Sequence, residues 1–449
     1  MKKIDIKEQS INGEEFTELS RYYASKPQNV ILRHAMSKVE IPSIVSDSKN
    51  RVETQPNFSV EIKTLPVANQ KASGRCWIFA GLNVLREIVA KKCNLPNFEL
   101  SQNFVALYDK LEKSNYLLAS IIDLIDQKPD DRVLMHLLVN GVSDGGQWDM
   151  FRNLVVKYGV VPQSAFEETF QSSNTRYCNI LLNSYIRQFA ADAQKLSHEG
   201  KDKEISILKE ETLGKIYALL VNSFGVPPTH FDFEYTDKEG GYHIETGYTP
   251  NSFFEKYIGS TIDEYVSIIN SPTKDKPYMK SYTIDYLGNV IEGNIVKHLN
   301  LPMERIKELI VNQLKGGDLV WFGSDVGFYG DRTTGVWDDL SYDYMSAFGF
   351  DVKFNKEQML DYHQSAMNHA MCLTGVNLKG DVPSKWKVEN SWGEAIGNKG
   401  YFMMSPSWFD TYVYQAVILK KYLSEEELKA YNDKPVVLSP WDPMGTLAD

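Results

Sequence analysis

Residues 70–81 read QKASGRCWIFAG and contain Cys76, one of four cysteines in a chain of 449 residues. From Cys76 onward the sequence CWIFAGLNVLREIVAKK is apolar on most sides of a helix, which predicts a long, largely buried helix. Ser73 and Gly74 precede it, as residues at a helix entry do. Because the positive end of a helix favours a thiolate, Cys76 is a candidate nucleophile.

The composition predicts a globular, cytoplasmic protein. A hydrophobic share of 43% supports a large core, and 449 residues suffice for two or three packed subregions. The net charge of −11 disfavours nucleic-acid binding, which needs a basic face. No apolar run reaches the ~18 residues of a membrane helix, and the MKKIDIKEQS start lacks the apolar segment of a signal peptide. Four scattered cysteines without a CxxC or HExxH motif indicate a reducing compartment and no metal site.

The order of patterns predicts helices in the first half and strands in the last third. Helical spacing runs through residues 101–128, 131–140, 148–158 and 204–224. Residues 225–300 are rich in Gly, Pro, Tyr and Thr, and we expect loops and short strands there. After residue 315, short apolar runs bounded by turn residues indicate buried strands.

Residues far apart in the sequence supply what a cysteine nucleophile needs. His369 opens a predicted strand and is a candidate general base. Asn390 is a candidate partner for the second imidazole nitrogen, and Trp392 would shield that bond from water. The side chain of Gln70 and the backbone N–H of Cys76 are candidate donors to an oxyanion.

These motifs resemble those of papain-like cysteine peptidases: Gln-x5-Cys-Trp, Asn-His-Ala and Asn-Ser-Trp-Gly. Five longer strings are similar to the bleomycin hydrolase and aminopeptidase C family over nearly the whole chain: QKASGRCWIFAGLNVLRE, DGGQWDMFRNLVVKYGVVP, NHAMCLTGV, KVENSWGEAIGNKGY and WDPMGTLAD. Ser73 stands where extracellular members have a disulfide cysteine. About 300 residues separate Cys76 from His369, whereas papain-like chains need about 130–150, so roughly half of this interval is inserted.

The resemblance implies an α+β class and a papain-like fold. A helical half would carry the cysteine, a β-rich half would carry the histidine and asparagine, and a large, mainly helical region would be inserted. The expected parts are an N-terminal arm at 1–65, the papain-like helical part at 66–175, the inserted helical and loop region at 176–310, the papain-like β-rich part at 311–435 and a C-terminal arm at 436–449.

The resemblance also implies that the protein is a cytoplasmic thiol aminopeptidase that acts on peptides. It would need no cofactor and would assemble as a homohexamer. Cys76 would be the nucleophile, His369 the base, Asn390 its orienting partner and Gln70 part of the oxyanion hole. The expected substrate-binding residues are Gly145, Gly146, Asn368, Trp392, Ala448 and Asp449. The C-terminal arm would lie in the cleft, where its terminal carboxylate would bind the substrate's amino group.

Several alternatives remain open from the sequence. The same catalytic residues in an open cleft would make an oligopeptide endopeptidase. A non-enzymatic binding protein and another Cys-His acyl-transfer enzyme are further alternatives. Gly145-Gly146 could be an ordinary helix-entry turn, and Trp441-Asp442-Pro443 only a packed end. Asp449 either remains or is removed, which would leave Ala448 as the terminus. The other three cysteines are expected to be core thiols: Cys93, Cys178 and Cys372.

Overall fold

The structure is a computed structural model that describes residues 6, 10–47, 52–350, 352 and 354–448. In chain order the helices are α1 Gly13–Ala24, α2 Gln28–Met36, α3 Ile41–Val45, α4 Cys76–Cys93, α5 Gln102–Asp123, α6 Arg132–Asn140, α7 Trp148–Tyr158, α8 Arg176–His198, α9 Asp202–Phe224, α10 Pro250–Tyr257, α11 Met303–Lys315, α12 Tyr344–Phe348, α13 Lys356–Asp361, α14 Pro406–Tyr412 and α15 Glu425–Asn432. The strands are β1 Val60–Glu61, β2 Phe231–Thr236, β3 Tyr242–Tyr248, β4 Tyr265–Ile269, β5 Lys280–Ile284, β6 His298–Asn300, β7 Val320–Ser324, β8 Gly330–Asp331, β9 Val336–Trp337, β10 His369–Lys379, β11 Val382–Glu389, β12 Tyr401–Met404, β13 Val413–Leu419 and β14 Val436–Leu438.

The chain divides into two compact units. The smaller comprises Met1–Val52 and Asp338–Lys353, and the larger comprises Glu53–Trp337 and Phe354–Asp449. The smaller unit contains α1–α3 and α12. The end of α3 is joined to the start of α12, where the Asp343 N–H donates to the Val45 carbonyl at 2.7 Å. Its helices leave many apolar side chains exposed to solvent.

One mixed sheet organises the larger unit. In the described part of the chain its strand order is β14-β5-β6-β4-β13-β7-β10-β11-β12-β9-β8, and β1 pairs with the outer part of β10. β10 pairs antiparallel with both β7 and β11. His369 begins β10 and Asn390 directly follows β11, so this antiparallel pairing brings the two residues to the same end of the sheet.

The long helix predicted from Cys76 is confirmed as α4, and it packs on one face of this sheet. Alternation along β10 turns Ala370 and Cys372 toward α4. The Cys372 thiol donates to the Ala80 carbonyl of α4 at 3.2 Å. Nearer the far end of α4, Arg86 forms a buried ion pair with Glu389 of β11 at 2.7 Å. The helix is therefore held to two adjacent strands by polar contacts as well as by apolar packing.

A second helix layer covers the opposite face of the sheet. Met371 and Leu373 of β10 point there and pack with apolar residues of α11 and α14. On the first face, α7 lies so close to α4 that a Cβ at Gly81 would come within 2.7 Å of the Phe151 ring. Gly81 is thus the residue that permits the two helices to approach. The mixed helix and sheet content, with antiparallel strands at the centre of the sheet, confirms the α+β class.

Residues 176–310 contain both helices and strands. The helices α8 and α9 pack on each other and on α5, and β2 and β3 form a separate two-stranded sheet. The strands β4, β5 and β6 then join the main sheet next to β13. The sequence indicated short strands in this interval, but it assigned all of the interval to an inserted helical and loop region. Within this interval, β4–β6 belong to the sheet that carries His369.

The last described residues form an extended arm. β14 pairs in parallel with β5, and the chain then continues from residue 439 to Ala448. No helix in the described part of the chain is both long and apolar enough to cross a bilayer.

Candidate active site

Cys76 occupies the first position of α4 and is fully buried. Its Sγ accepts a hydrogen bond from the Ala370 N–H at 3.4 Å, which places the thiol beside the start of β10. The N–H groups of a first helical turn and the helix dipole both favour negative charge at this position. These groups stabilise the thiolate, the reactive form of cysteine, once the thiol gives up its proton.

His369 and Asn390 contact each other as the antiparallel strands require. His369 Nε2 lies 2.9 Å from Asn390 Oδ1. The Ser391 N–H also donates to that oxygen at 2.8 Å, which identifies it as the acceptor end of the amide. Nε2 must then carry the hydrogen, so the neutral imidazole keeps its lone pair on Nδ1. That nitrogen is the one able to take a proton.

The His369 imidazole is held in its neutral form. Burial lowers its pKa from 6.5 to about 4, aided by Arg332, and the hydrogen bond to Asn390 only partly offsets the effect. The Trp392 ring lies 4.9 Å from the imidazole between ring centroids, and the Arg332 guanidinium lies over the outer face of that indole. Trp392 therefore limits the access of water to the histidine.

Gln70 is buried between the segment before Cys76 and the segment after Asn390. Its Oε1 accepts from the Ser391 hydroxyl at 2.5 Å, and its Nε2 donates to the Ser73 carbonyl at 2.6 Å. The amide orientation is thereby fixed. The second Nε2 hydrogen remains available as a donor to a substrate oxygen.

Gly146 pairs with the C-terminal arm. Its N–H donates to the Ala448 carbonyl at 3.1 Å, and the Ala448 N–H donates back to the Gly146 carbonyl at 3.3 Å. A Cβ at Gly146 would lie 2.5 Å from the Trp77 ring, so only glycine fits. Gly145 is fixed by its carbonyl, which accepts from Lys113. The structure thus shows an extended peptide segment on the backbone groups that the sequence assigned to substrate.

Several contacts hold the arm in this position. The Arg132 guanidinium lies 3.7 Å above the Trp441 ring, and Asp442 forms an ion pair with the buried Lys276 at 2.9 Å. Farther along, Gln147 Nε2 donates to the Thr446 carbonyl at 2.6 Å. Ala448 is fully buried, whereas Asp449 lies outside the described residues.

A cavity of about 710 Å³ lies beside the arm. Asn368, Thr446 and Leu447 are among the residues that line it. The Asn368 amide accepts from the Val326 N–H at 3.0 Å and donates to Asp325 at 2.6 Å, so it forms a fixed part of the wall. Among the described residues, no three His, Cys, Asp or Glu side chains cluster in a way that would hold a metal ion.

Sequence reasoning missed the buried charges around the site. Asp144, Lys110 and Lys113 lie behind the glycine pair, and Arg86 pairs with Glu389 directly before Asn390. The only available signal was that Asp144 immediately precedes Gly145. A charged residue in a sequence is far more often exposed, and its partner can be anywhere in the chain.

In a Cys76→Ala variant, we expect the His369 imidazole to remain neutral until the pH falls to about 4, because burial opposes the cation and no thiolate compensates. The pKa of His369 in the folded protein lies below the histidine pKa of 6.5 in the unfolded chain, so the unfolded chain binds a proton first as the pH falls. The folded state therefore loses stability between pH 6.5 and pH 4. Histidine NMR signals followed as a function of pH give the midpoint of the His369 titration. The signal that disappears when His369→Gln is added to the variant belongs to His369. A midpoint at or above 6.5 would contradict the burial argument.

Comparison with known proteins identifies the family. The peptidase C1-like family model matches residues 10–445. Aminopeptidase C of Lactobacillus delbrueckii subsp. lactis is 47% identical over 405 residues, covering 89% of this chain and 90% of that protein. Aminopeptidase C of Listeria monocytogenes is 44% identical over 435 residues, covering 97% and 98%. Bleomycin hydrolase of Rattus norvegicus is 37% identical over 449 residues, covering 98% and 99%.

The fold is also similar to that of a solved structure. The crystal structure of PepW from Lactobacillus rhamnosis HN001 superposes with a TM-score of 0.95 at 45% identity, and the match covers 98% of this chain and 99% of that chain. The family model and the curated relatives both span almost the full length. The chain therefore belongs to the peptidase C1-like family, in agreement with its resemblance to bleomycin hydrolase and aminopeptidase C, and it is a cysteine peptidase.

Proposed function

We propose that the protein is a thiol aminopeptidase with a papain-like catalytic arrangement, which releases N-terminal residues from peptides through a Cys-His-Asn acyl-enzyme mechanism. The observation that carries the proposal is the pairing of Ala448 with Gly146 beside a Cys76 thiol and a His369–Asn390 pair. The similarity to proteins named aminopeptidase C and bleomycin hydrolase supports it.

The proposed reaction begins with acylation of Cys76. The Cys76 thiol gives its proton to His369 Nδ1, and the thiolate then attacks the carbonyl carbon of the first peptide bond. The electron pair displaced onto oxygen is stabilised by Gln70 Nε2 and the Cys76 N–H. As the C–N bond breaks, the protonated His369 gives its proton to the leaving amine, and a thioester remains. Asn390 keeps the imidazole aligned throughout, because it binds the nitrogen that does not transfer the proton.

Deacylation reverses the role of the histidine. The neutral His369 takes a proton from water as the water oxygen attacks the thioester carbonyl. The C–S bond then breaks, the released amino acid carries the new carboxylate, and Cys76 regains its thiolate beside the imidazolium. Each turnover therefore consumes one water molecule and needs no metal or organic cofactor.

The arm would restrict this chemistry to chain ends. While Ala448 occupies both backbone groups of Gly146, a longer polypeptide has no place to pair on that side of the cleft. A terminal carboxylate of the arm is the natural partner for the substrate's α-ammonium group. Ala448 would supply that carboxylate if Asp449 is removed, and Asp449 would supply it if it remains.

Replacing Cys76 with alanine is expected to lower kcat/KM for a dipeptide amide at least about a thousandfold, because the nucleophile is lost. Cys93→Ala is the matched control, since it removes a buried thiol at the other end of the same helix. Continuous release of amine product measures both variants. Full activity in Cys76→Ala would refute the mechanism.

Deletion of residues 446–449 is expected to open the cleft and allow cleavage of internal peptide bonds. With a ten-residue peptide, the unmodified protein should give products shortened by one residue at a time, whereas the truncated protein should give internal fragments. Mass spectrometry of early products distinguishes the two patterns. The control is Val437→Ala, an arm residue that is 59% exposed and lies outside the cleft. Internal cleavage by the unmodified protein would instead favour the endopeptidase alternative.

We also propose that the chain self-associates, with a homohexamer as the expected assembly. The support is the exposed apolar surface of α1 and α2, where Phe16 is 66% and Ile31 72% exposed. Sedimentation should give about six times the subunit mass of 51.2 kDa. Phe16→Glu combined with Ile31→Glu should lower that mass, and a monomer in the unmodified protein would contradict the proposal.

A cytoplasmic location is proposed on the state of the cysteines. All four lie in the described part of the chain and are thiols, as a reducing compartment maintains them. The expected partners are peptides, and the net charge of −11 gives no support for binding nucleic acid.

A further inference from the structure

Asp144 is a buried carboxylate, 5% exposed, that no step of the proposed reaction uses. Its Oδ2 accepts from the Gly74 N–H at 3.0 Å and from the Thr175 hydroxyl. Its Oδ1 accepts from Asn179 Nδ2 at 2.9 Å and from the Lys110 ammonium. A carboxylate has about four acceptor positions, so these four donors fill it. They come from the segment before α4, from α5 and from the start of α8.

The backbone of the same residue contacts the other side of the nucleophile. Its carbonyl accepts from Trp77 Nε1 at 2.7 Å. Gly74 lies two residues before Cys76 and Trp77 lies one residue after it. Asp144 is therefore hydrogen-bonded to the chain on both sides of Cys76. Two residues further on, Gly146 rests against the Trp77 ring with no space for a Cβ. The loop 143–146 is thus bound to the Cys76 segment by a side chain, a main-chain carbonyl and a packing contact.

The charge of Asp144 is retained despite its burial. Desolvation alone would raise the pKa of this carboxyl group, but Lys110 and the hydrogen bonds from Lys110, Thr175 and Asn179 lower it well below its usual range. Asp144 is therefore ionised at any pH at which the enzyme would work. An ionised carboxylate accepts stronger hydrogen bonds than a neutral one, which makes the link to Gly74 stiffer.

We propose that Asp144 is a positioning residue, which sets the distance between the Cys76 thiol and the Gly146 backbone that holds the C-terminal arm. The inference rests on the proposed function, because it takes Cys76 as the nucleophile and the arm paired with Gly146 as the segment that binds the substrate's amino end. The nucleophile begins helix α4 and the arm rests on the loop that contains Gly146, and Asp144 bonds to residues on both sides of the nucleophile. A displacement of about 1 Å between reacting groups can reduce a rate about a hundredfold.

A purely structural role would consist of holding α5 and α8 together. The contacts within α5 and α8 are made by Oδ1, which binds Lys110 and Asn179, whereas Oδ2 binds Gly74 and the Thr175 hydroxyl that precedes α8. Loss of the helix contacts should lower stability, and loss of the Gly74 contact should lower the rate of the chemical step. Variants that affect one oxygen at a time can therefore separate the two roles.

Asp144→Asn affects the Gly74 contact selectively. The asparagine must direct its oxygen toward the Lys110 ammonium, because an NH₂ group there would oppose a positive charge. Its NH₂ then faces Gly74 N–H, another donor, and the contact is lost, although the Thr175 hydroxyl can still accept. Asn179→Ala is the matched control, since it removes a donor to Oδ1 and leaves Gly74 untouched. Both variants are compared by thermal unfolding and by kcat and KM on a dipeptide amide.

We expect kcat of Asp144→Asn to be at least about tenfold lower than that of Asn179→Ala, with KM within about threefold of the unmodified value. A difference in kcat smaller than tenfold, or a loss confined to KM, would overturn the proposal. The proposed function is tested separately, since it fails if the unmodified protein releases no N-terminal residue. The inference about Asp144 fails when the unmodified protein is active and the two variants are alike.

A measurement on the unmodified protein covers the case in which Asp144→Asn does not fold. The Gly74 N–H should exchange with solvent deuterium at least about tenfold more slowly than the Lys71 N–H, which is bound only to an exposed asparagine oxygen. Residue-resolved exchange by mass spectrometry gives both rates. Equal rates would show that Gly74 is not held by Asp144 and would overturn the proposal.

Discussion

The buried ion pair between Arg86 and Glu389 joins the helix that carries Cys76 to the strand that leads into Asn390. Both side chains are excluded from water, and Asn83 of the same helix also donates to Glu389 at 3.0 Å. Removing one partner from such a pair costs about 3–5 kcal/mol, because the other charge remains buried. This contact and the antiparallel register of the two central strands together place nucleophile, base and orienting amide in one corner of the fold.

The backbone N–H and carbonyl of Gly146 can pair with any extended segment, and the C-terminal arm occupies them. Gly146 offers one donor and one acceptor, and an extended segment satisfies both without any side-chain requirement. The arm uses these groups and is also fixed by contacts away from Gly146, at Trp441 and Asp442. Restriction to chain ends would then arise because the arm occupies the backbone groups that an internal stretch of polypeptide would need.

The sequence predicted the elements that depend on local pattern and missed those that depend on distant partners. The helix starting at Cys76 and the strand starting at His369 follow from apolar spacing and turn residues, and both are confirmed. The strands within residues 265–300 were expected, but nothing in a short apolar run reveals which strand it will pair with. The buried charges of Asp144 and Glu389 could not be recognised, because their burial depends on a partner elsewhere in the chain.

The most direct test of the account compares one peptide in two forms, with a free α-amino group and with the same group acetylated. We expect the acetylated form to be hydrolysed at least about a hundredfold more slowly, measured as kcat/KM, because it cannot form the charged contact with the arm's carboxylate. Equal rates for the two forms would contradict the claim that the C-terminal arm selects the amino end of its substrate.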